Sequence, residues 1–347
     1  MTTTETPTKR PRLIKPRANM PRIVVPDSVF SIASYPTKLE TFCEFRNARI
    51  VVPSYSLPSG TTCPGAVYTP DALGRSAVCK DCYAEKLLRL RTNVRDSHAA
   101  RLVDVTAAAR AWSKHSILSE SDLLTRQRNW RDGMRLHDSE SNGSPLAWSA
   151  AMPPELFQRM GEYETIGTNG REIGECAGVW SAWAYRVTAA MVLALTPQTD
   201  CTHCIARGLR IRWHMSGDIF SDHYANMLRL VFMFLLDKYP TLHIWVPTRN
   251  WHDGTPTRVR GATVDLARMH DRLNVVASGL HVGEVVGEGE DAWAYRSHTA
   301  VVKRAGDVGE LGGGYVVCHA QTDSPDHTCR ECDRCYRVGT RVAYVKH

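Results

Sequence analysis

Between residue 208 and the C-terminus, segments with strand-like alternation are followed by segments with helical spacing. The segment "GLRIRWHM" alternates apolar and polar residues, and "DHYANMLRLVFMFLLDKYP" after it has the apolar spacing of a buried helix. The series continues with a strand in "TLHIWVPTR", a helix in "GATVDLARMHDR", a strand in "LNVVASG" and a strand in "GYVVCHAQ". Strands that alternate with helices form βαβ units around a parallel sheet. The sequence therefore predicts an α/β fold with an open or barrel-like parallel sheet.

Small and polar residues follow the predicted strands. Ligands of parallel α/β proteins bind where the carboxyl ends of the strands meet, so these residues are candidates for a functional site. They are Ser216, Gly217, Asp218, Thr248, Arg249, Ser278 and Gly279. Asp218 has a second interpretation, because an aspartate here could cap a helix at residues 219–222. The alternation also predicts that His214 lies on the strand face opposite Trp213, where it could point into the interior of a barrel. A lone histidine in a strand is more often a structural residue with a hydrogen-bond partner.

Composition divides the chain into five segments. The first is a basic arm that we expect to be disordered, and the second holds a short apolar strand at 50–52, a loop with Cys63, and a helix. A helical insertion, the remaining βα units and a cysteine-rich C-terminal segment follow. The five segments cover residues 1–25, 26–113, 114–205, 206–317 and 318–347.

The chain has eleven cysteines among 347 residues, and they are concentrated in pairs and triplets. Residues 1–25 contain basic and polar residues but lack the apolar stretch of a signal peptide, which predicts a cytoplasmic protein. The longest apolar run, at 230–236, is far shorter than the ~20 residues that cross a bilayer. Thiols stay reduced in the cytoplasm, so we expect clustered cysteines to bind metal rather than to form disulfides.

Two groups of cysteines have the spacing of metal ligands. Cys63, Cys79 and Cys82 lie in the loop after the first predicted strand and at the start of the next helix. The two residues between Cys79 and Cys82 let both sulfurs bind one metal. The second group ends in the C-x2-C-x2-C spacing of ferredoxin ligands and consists of Cys318, Cys329, Cys332 and Cys335. The other four, for which a third site is an open question, are Cys43, Cys176, Cys201 and Cys204.

The number of thiolates in each group decides which metal it suits. Four thiolates close a site around zinc or around a [4Fe–4S] cluster, so the second group predicts a closed site. Three thiolates leave one iron of a [4Fe–4S] cluster open to a substrate or a cofactor. Alternatively, Cys43 or a histidine such as His98 completes an ordinary zinc site in the first group, or the first group binds no metal.

Five segments in order resemble the gene product 88 family of actinobacterial phages and plasmids: "TTCPGA", "CKDCYAE", "RWHMSGDIFSDHY", "WVPTR" and "CHAQ…TCRECDRCY". The resemblance runs from about residue 45 to residue 337 and is interrupted by the predicted insertion. More distantly, "CKDCYAE" and the strand-end "SGD" resemble radical S-adenosylmethionine (SAM) proteins. The usual cysteine triplet of that superfamily is C-x3-C-x2-C, whereas fifteen residues separate Cys63 from Cys79 here.

The radical SAM resemblance implies a partial (βα) barrel with a [4Fe–4S] cluster in the loop after its first strand. It puts Tyr83 beside the adenine of SAM and the "SGD" turn at 216–218 beside the SAM amino group. Arg249 would pair with the SAM carboxylate or with a substrate phosphate, although a surface ion pair explains an arginine there equally well. The implied cluster ligands are Cys63, Cys79 and Cys82.

The formal net charge of +7 is modest, but six basic residues crowd the N-terminal arm. They are Lys9, Arg10, Arg12, Lys15, Arg17 and Arg22. A basic arm indicates contact with nucleic acid or another polyanion, although a solvated tail has the same composition. The sequence contains no G-x-x-x-x-G-K-[ST] phosphate loop, no H-E-x-x-H zinc-protease motif and no G-x-S-x-G hydrolase motif.

Two functions are therefore expected. The first is a radical SAM-like iron–sulfur enzyme of a phage or plasmid, whose substrate is unknown, with a nucleic acid or nucleotide preferred to a peptide. Such an enzyme needs an electron donor. The second is a non-enzymatic, zinc-stabilised protein that binds nucleic acid in a mobile element. No membrane contact is expected, and the sequence does not predict the oligomeric state.

Overall fold

The computed structural model of the chain describes residues 43–45, 48–50, 52–59, 62–63, 90–113, 120–142, 170–214, 216–252, 254–286, 294–318 and 334–345. The predicted disordered arm lies outside these residues. Within the part of the chain that is described, no helix is both long enough and apolar enough to span a membrane.

The described elements alternate between strands and helices over much of the chain. The strands are β1 (Cys43–Phe45), β2 (Ala48–Ile50), β3 (Ser54–Tyr55), β4 (Arg210–Trp213), β5 (His243–Thr248), β6 (Leu273–Val282), β7 (Ser297–Val302), β8 (Val316–Val317) and β9 (Arg341–Val345). The α-helices are α1 (Thr92–Ser113), α2 (Glu120–Glu140), α3 (Gly170–Thr199), α4 (Thr202–Arg207), α5 (Asp222–Lys238) and α6 (Thr257–Arg268). Two 3₁₀ turns lie at Ala305–Leu311 and Arg334–Tyr336.

Seven strands form one sheet in the order β3-β4-β5-β6-β7-β9-β8, and each neighbouring pair is parallel. The strands from β3 to β7 stand in chain order, which is the arrangement that successive βαβ units produce. β1 and β2 form a separate antiparallel pair. The predicted α/β class and parallel sheet are therefore confirmed.

The first strand of the sheet is not where the apolar run at 50–52 predicts it. Ala48–Ile50 pairs with β1, and the parallel sheet begins only at Ser54–Tyr55. Pro53 lies between the two strands, and a proline has no backbone N–H to donate to a ladder. The first strand of the parallel sheet therefore begins after Pro53, later in the chain than the sequence predicts.

Sequence alternation correctly predicted β4, β5 and β6, and helical spacing correctly predicted α5 and α6. Neither pattern predicted β7 or β9. The segment "SHTAVV" of β7 mixes polar and apolar residues, and "RVAYV" of β9 is short and close to the chain terminus. β9 lies between β7 and β8 although it follows both in the chain. Its position in the sheet depends on long-range pairing, which local pattern does not report.

One face of the sheet is apolar and packs against helices. Trp213 of β4 meets Phe232 of α5 edge-on, with ring centroids 4.9 Å apart, and stacks on Tyr55 of β3 at 4.9 Å. Tyr55 also meets Trp183 of α3 edge-on at 6.4 Å. All four rings are buried. The helix α3, from the predicted insertion, therefore shares its core with the sheet.

The opposite face, which we call the polar face, carries charged and polar side chains because successive strand residues point to opposite sides. The strand register aligns one such row across four neighbouring strands, Ser54, Arg212, Trp245 and Asn274. The 3₁₀ turn Arg334–Tyr336 covers the row, since Asn274 Nδ2 donates to the carbonyl oxygen of Cys335 at 2.8 Å. The cysteine-rich C-terminal segment thus contacts the sheet directly.

Candidate functional site

Two loops meet at the carboxyl end of the sheet, the residues after β3 and the turn after β4. The N–H of Leu57 donates to the carbonyl oxygen of Ser216 at 3.0 Å. The Ser216 hydroxyl donates to the carbonyl oxygen of Leu57 at 2.7 Å. This reciprocal pair joins the segment that leads to Cys63 with the "SGD" turn.

Gly217 allows the close approach of the two loops. Its φ of +77° lies in the left-handed region, and a Cβ atom there would lie 2.6 Å from Thr62 Oγ1 and 2.7 Å from Leu57 Cβ. The hydroxyl oxygen of Thr62 accepts from the Asp218 N–H at 3.3 Å. Cys63, the next residue, is 6% exposed. The fold therefore holds the Cys63 segment against the turn after β4.

Asp218 joins the ends of β4 and β5 through its carboxylate. Oδ1 accepts from the Thr248 hydroxyl and from the Ile219 N–H, both at 2.7 Å, and Oδ2 accepts from the Arg249 N–H at 2.7 Å. Burial raises the pKa of Asp218 to about 6, although these hydrogen bonds favour the ionised form and limit the rise. The carboxylate holds the loops in place with both of its oxygens.

Ser221, not Asp218, caps α5. The Ser221 hydroxyl oxygen accepts from the Tyr224 N–H at 3.1 Å, and the helix begins at Asp222. The interpretation of Asp218 as a helix cap is therefore wrong. Instead of capping the helix, the Asp218 carboxylate accepts hydrogen bonds from Thr248 at the end of β5 and from the N–H of Arg249 directly after it.

Arg249 contributes its backbone N–H to the carboxylate of Asp218, and its side chain is half-buried. Among the described residues, the guanidinium makes no ion pair with a carboxylate. Burial raises the pKa of Asp218, but the positive charge of Arg249 lowers it, so the guanidinium acts on the carboxylate that its own backbone binds.

His98 of α1 reaches the same turn. Its Nδ1 lies 3.1 Å from the Ser216 hydroxyl oxygen. Because the Ser216 hydrogen is donated to Leu57, Nδ1 of His98 must carry the ring proton and Nε2 keeps a lone pair. Burial first, and then the positive charge of Arg101, lower the pKa of His98 to about 4. His98 is therefore a neutral imidazole whose Nε2 is chemically able to bind a metal.

His214 does not point where strand alternation predicts. Its φ is +58°, so the backbone leaves the strand conformation at this residue. Nε2 of His214 lies 3.0 Å from the Tyr224 hydroxyl, which also accepts from Trp213 Nε1 at 3.1 Å. Both side chains therefore reach the same residue of α5. His214 is buried and hydrogen-bonded to Tyr224, which agrees with the structural role and not with a side chain that faces a barrel interior.

Hydrogen bonds continue along this edge to β6 and β7. Asn250 Nδ2 donates to the carbonyl oxygen of Ile219 at 2.7 Å, and Trp251 Nε1 donates to that of Ser278 at 2.8 Å. The Thr299 hydroxyl donates to Ser278 Oγ at 2.9 Å. Sequence reasoning named Ser278 but missed Asn250 and Trp251, whose signal was the polar "RNW" directly after a predicted strand.

Several predicted ligands lie outside the described residues. They are Cys79, Cys82, Tyr83, Cys329 and Cys332. Within the ranges that the structure describes, no group of three or more His, Cys, Asp or Glu residues could hold a metal ion. The convergence of Cys79 and Cys82 on Cys63 stays a prediction.

The two described members of the second cysteine group lie near one tyrosine. Cys335 Sγ lies 3.1 Å from the Tyr344 hydroxyl, and the Cys318 N–H donates to the carbonyl oxygen of Ala343 at 2.8 Å. Burial first, and then the Cys335 thiol, raise the pKa of Tyr344 well above its ordinary value, while Arg212 opposes the rise. Strand β9 therefore connects the two cysteines.

The remaining four cysteines belong to other parts of the fold. Cys201 and Cys204 flank the start of α4 and are buried in the apolar core. Cys43 is in β1 and Cys176 is in α3. Among the described side chains, Cys201 and Cys204 belong to no group of three or more metal-binding residues, and a third site stays an open question.

The described donors suit a thiolate-bound metal better than a carboxylate-bound one. Cys63 provides a buried thiol, and His98 provides a neutral imidazole. Asp218 is the nearest carboxylate in the turn, but both of its oxygens already accept hydrogen bonds from the protein. Soft sulfur ligands favour iron–sulfur clusters and zinc over magnesium or calcium.

The sequence model of the gene product 88 family matches residues 32–151 and 182–338. The chain belongs to the gene product 88 family. The matched ranges include both cysteine groups and the turn after β4, and the unmatched residues 152–181 lie inside the predicted insertion. Neither a curated protein nor a solved structure matches the chain.

We expect Gly217→Ala to destabilise the protein more than Gly283→Ala. Both glycines have positive φ, so both substitutions carry backbone strain of about 1–2 kcal/mol. Only Gly217 has neighbours within 4 Å of the new methyl group, whereas Gly283 has none. Chemical denaturation of the two variants measures the difference. Equal losses would mean that the loops after β3 and β4 separate readily.

The raised pKa of Asp218 predicts a pH dependence of stability. Below the ordinary pKa of 3.8 the group is protonated in both states, and above about 6 it is ionised in both. Between these values the folded state binds more protons, so the free energy of unfolding falls as pH rises, by roughly 3 kcal/mol at most. As pH rises through this interval, the free energy of unfolding of Asp218→Asn should therefore fall less than that of the wild type.

Denaturant unfolding at about pH 4 and about pH 7 measures this difference. Asp265→Asn, which removes the same formal charge from an exposed position of α6, controls for net charge. A wild-type minus Asp218→Asn difference that stays constant between the two pH values would contradict the assignment.

Proposed function

We propose that the protein is a radical SAM-like iron–sulfur enzyme of a phage or plasmid, with an open [4Fe–4S] cluster on Cys63, Cys79 and Cys82. The packing of Thr62 against Gly217 carries this proposal, because it brings the Cys63 segment beside the turn that would bind the cofactor. That turn lies at the carboxyl end of a parallel sheet, where ligands of such sheets bind.

We further propose that the parallel sheet is the wall of a partial (βα) barrel and that its polar face lines the interior. The helices α3 and α5 cover the apolar face, as the helices outside a barrel do. The cross-strand row of Ser54, Arg212, Trp245 and Asn274, in which three of the four residues are polar, supports this interpretation. An open sheet packed on both faces by helices would favour apolar residues on both sides.

A [4Fe–4S] cluster held by Cys63, Cys79 and Cys82 would supply, together with SAM, the radical chemistry of the reaction. The residues of the chain would bind, orient and shield these groups. Gly217 would let backbone carbonyl groups approach the SAM amino group, since it carries no side chain. Ser216 and Asp218 hold that turn through their hydrogen bonds. Arg249 would pair with the SAM carboxylate or a substrate phosphate, and Tyr83 would flank the adenine.

Cys318, Cys329, Cys332 and Cys335 are proposed to form a second, closed site, a [4Fe–4S] cluster or zinc. This site pins the C-terminal segment to the sheet or relays electrons from a donor protein. The basic N-terminal arm makes a nucleic acid or nucleotide the preferred substrate. The proposed location is the host cytoplasm.

One observation favours the second candidate function, a zinc-stabilised nucleic-acid-binding protein without enzymatic activity. His98 Nδ1 contacts Ser216, whose hydroxyl is bonded to Leu57, and this leaves Nε2 of His98 without a proton. A histidine in that state can complete a four-coordinate zinc site with three thiolates. Metal identity distinguishes the two functions, because a Cys₃His zinc site has no open position for SAM.

We expect anaerobically purified protein to contain iron and acid-labile sulfide, and the paramagnetic resonance spectrum of its reduced cluster to change when SAM is added. Cys82→Ala removes one of the three thiolates that would hold the open cluster, so the change should vanish in this variant. Cys201→Ala, which removes a buried cysteine outside both groups, should keep the response.

Colourless protein that contains zinc and no sulfide would favour the nucleic-acid-binding alternative. An intact cluster whose spectrum is indifferent to SAM would exclude the radical SAM mechanism and leave a structural metal.

A further inference from the structure

The start of α6 is tied to the carboxyl edge of the sheet. β5 ends at Thr248, and the chain then leads into α6 at Thr257. Between them, Asn250 Nδ2 lies 3.2 Å from the Thr263 hydroxyl of α6 and donates to the carbonyl oxygen of Ile219 at 2.7 Å. Ile219 directly follows Asp218, so Asn250 connects α6 with the turn after β4.

The N-terminus of α6 lacks the cap that most helices have. The first backbone N–H groups of a helix have no acceptor within it, and a serine, threonine, aspartate or asparagine at the N-cap usually accepts from them. The N-cap residue here is Pro256, with φ −53° and ψ 134°, and it makes no side-chain hydrogen bond. Among the described residues, the N–H groups of Thr257, Arg258 and Val259 have no acceptor.

The charge at this helix end is also unusual. The partial positive charge of a helix N-terminus favours acidic side chains in the first turn and disfavours basic ones. The first turn of α6 has no acidic residue and contains Arg258 instead. The Arg258 side chain is exposed and makes no ion pair with a described carboxylate. Positive charge of two kinds is therefore present where an anion could reach it.

Thr255 supplies an independent observation. It directly precedes the N-cap residue, it is 2% exposed, and its hydroxyl has no hydrogen-bond partner among the described residues. Its backbone N–H already donates to the carbonyl oxygen of His252 at 2.9 Å. A buried hydroxyl without a partner is unfavourable and is rare in folded proteins. Thr255 thus has a hydrogen to donate beside the start of α6.

We propose that the start of α6 binds a phosphate group of the substrate. The N–H groups of its first turn and the Thr255 hydroxyl donate to the phosphate oxygens, and Arg258 adds a full positive charge. Helix N-termini at the carboxyl ends of parallel strands are common phosphate sites. The inference rests on the proposed function for the choice of a nucleotide or nucleic acid as substrate, but the site itself needs neither the cluster nor SAM.

The test is a titration of the full-length protein with inorganic phosphate, followed by phosphorus magnetic resonance. Thymidine monophosphate should displace the inorganic phosphate, whereas thymidine should not. Thr255→Val keeps the shape of the side chain and removes its donor, so it should weaken phosphate binding about 10-fold. Thr263→Val is the matched control, because the Thr263 hydroxyl is buried in the same helix but donates to the carbonyl oxygen of Val259 at 2.7 Å. It should keep the wild-type affinity for phosphate.

The contribution of charge is measured with two exposed arginines at opposite ends of α6. Arg258→Gln should weaken phosphate binding by up to about 5-fold, since exposed charge pairs contribute modestly. Arg268→Gln makes the same change of net charge at the last residue of the helix and should leave the affinity unchanged.

Stability supplies a readout that distinguishes a ligand-binding threonine from a structural one. Without phosphate, Thr255→Val should unfold at the same or a higher denaturant concentration than the wild type, because the hydroxyl that it removes has no partner. Thr263→Val should unfold earlier, since it removes a bonded hydroxyl. Added phosphate should stabilise the wild type more than Thr255→Val.

Equal phosphate affinities of Thr255→Val and the wild type would overturn the proposal, as would thymidine monophosphate that fails to displace inorganic phosphate. So would equal weakening in Arg258→Gln and Arg268→Gln, because binding would then follow net charge alone. A loss of stability in Thr255→Val as large as that in Thr263→Val would assign the hydroxyl a structural role and would also contradict it. None of these results would affect a SAM response of the wild type, which tests the proposed enzyme separately.

Discussion

The close approach of two loops at Gly217 is the constraint on which the carboxyl edge of the sheet depends. A side chain there would collide with Thr62 and Leu57, so only glycine lets the turn after β4 lie against the loop after β3. Once the loops are in contact, Ser216 exchanges hydrogen bonds with Leu57. Asp218 then ties the same turn to β5. Through these contacts the segment before Cys63 is connected to the ends of β3, β4 and β5.

The two faces of the sheet differ in the side chains that they carry. The apolar face is filled by rings from the sheet and from α3 and α5. The polar face carries Arg212 and Asn274, and Asn274 binds the turn that contains Cys335. Cys63 follows the carboxyl end of β3, whereas Asn274 is the second residue of β6. Cys63 and Cys335, one described member of each cysteine group, therefore contact different parts of the sheet.

The sequence pattern was sufficient to predict most of the regular elements of the sheet and its helices. It was insufficient to predict the contacts between them. Alternation and helical spacing located β4 to β6 with their helices, because those segments are buried on a constant face. The position of the residues at the strand ends followed from the rule for parallel sheets. The left-handed backbone of His214 was not predictable, since a non-glycine residue adopts it only when tertiary contacts compensate the strain. The sequence alone makes Asp218 a candidate ligand or helix cap, whereas its carboxylate joins the ends of two strands through contacts that are distant in sequence.

The proposed iron–sulfur cluster on Cys63, Cys79 and Cys82 would lie beside the turn after β4. An anaerobic crystal structure with anomalous diffraction recorded at the iron and zinc absorption edges tests this placement most directly. We expect an iron signal bonded to Cys63 Sγ and adjacent to Gly217, with one iron that no protein atom ligates. A zinc signal bonded to Cys63 and His98, or Cys63 remote from every metal, would contradict it.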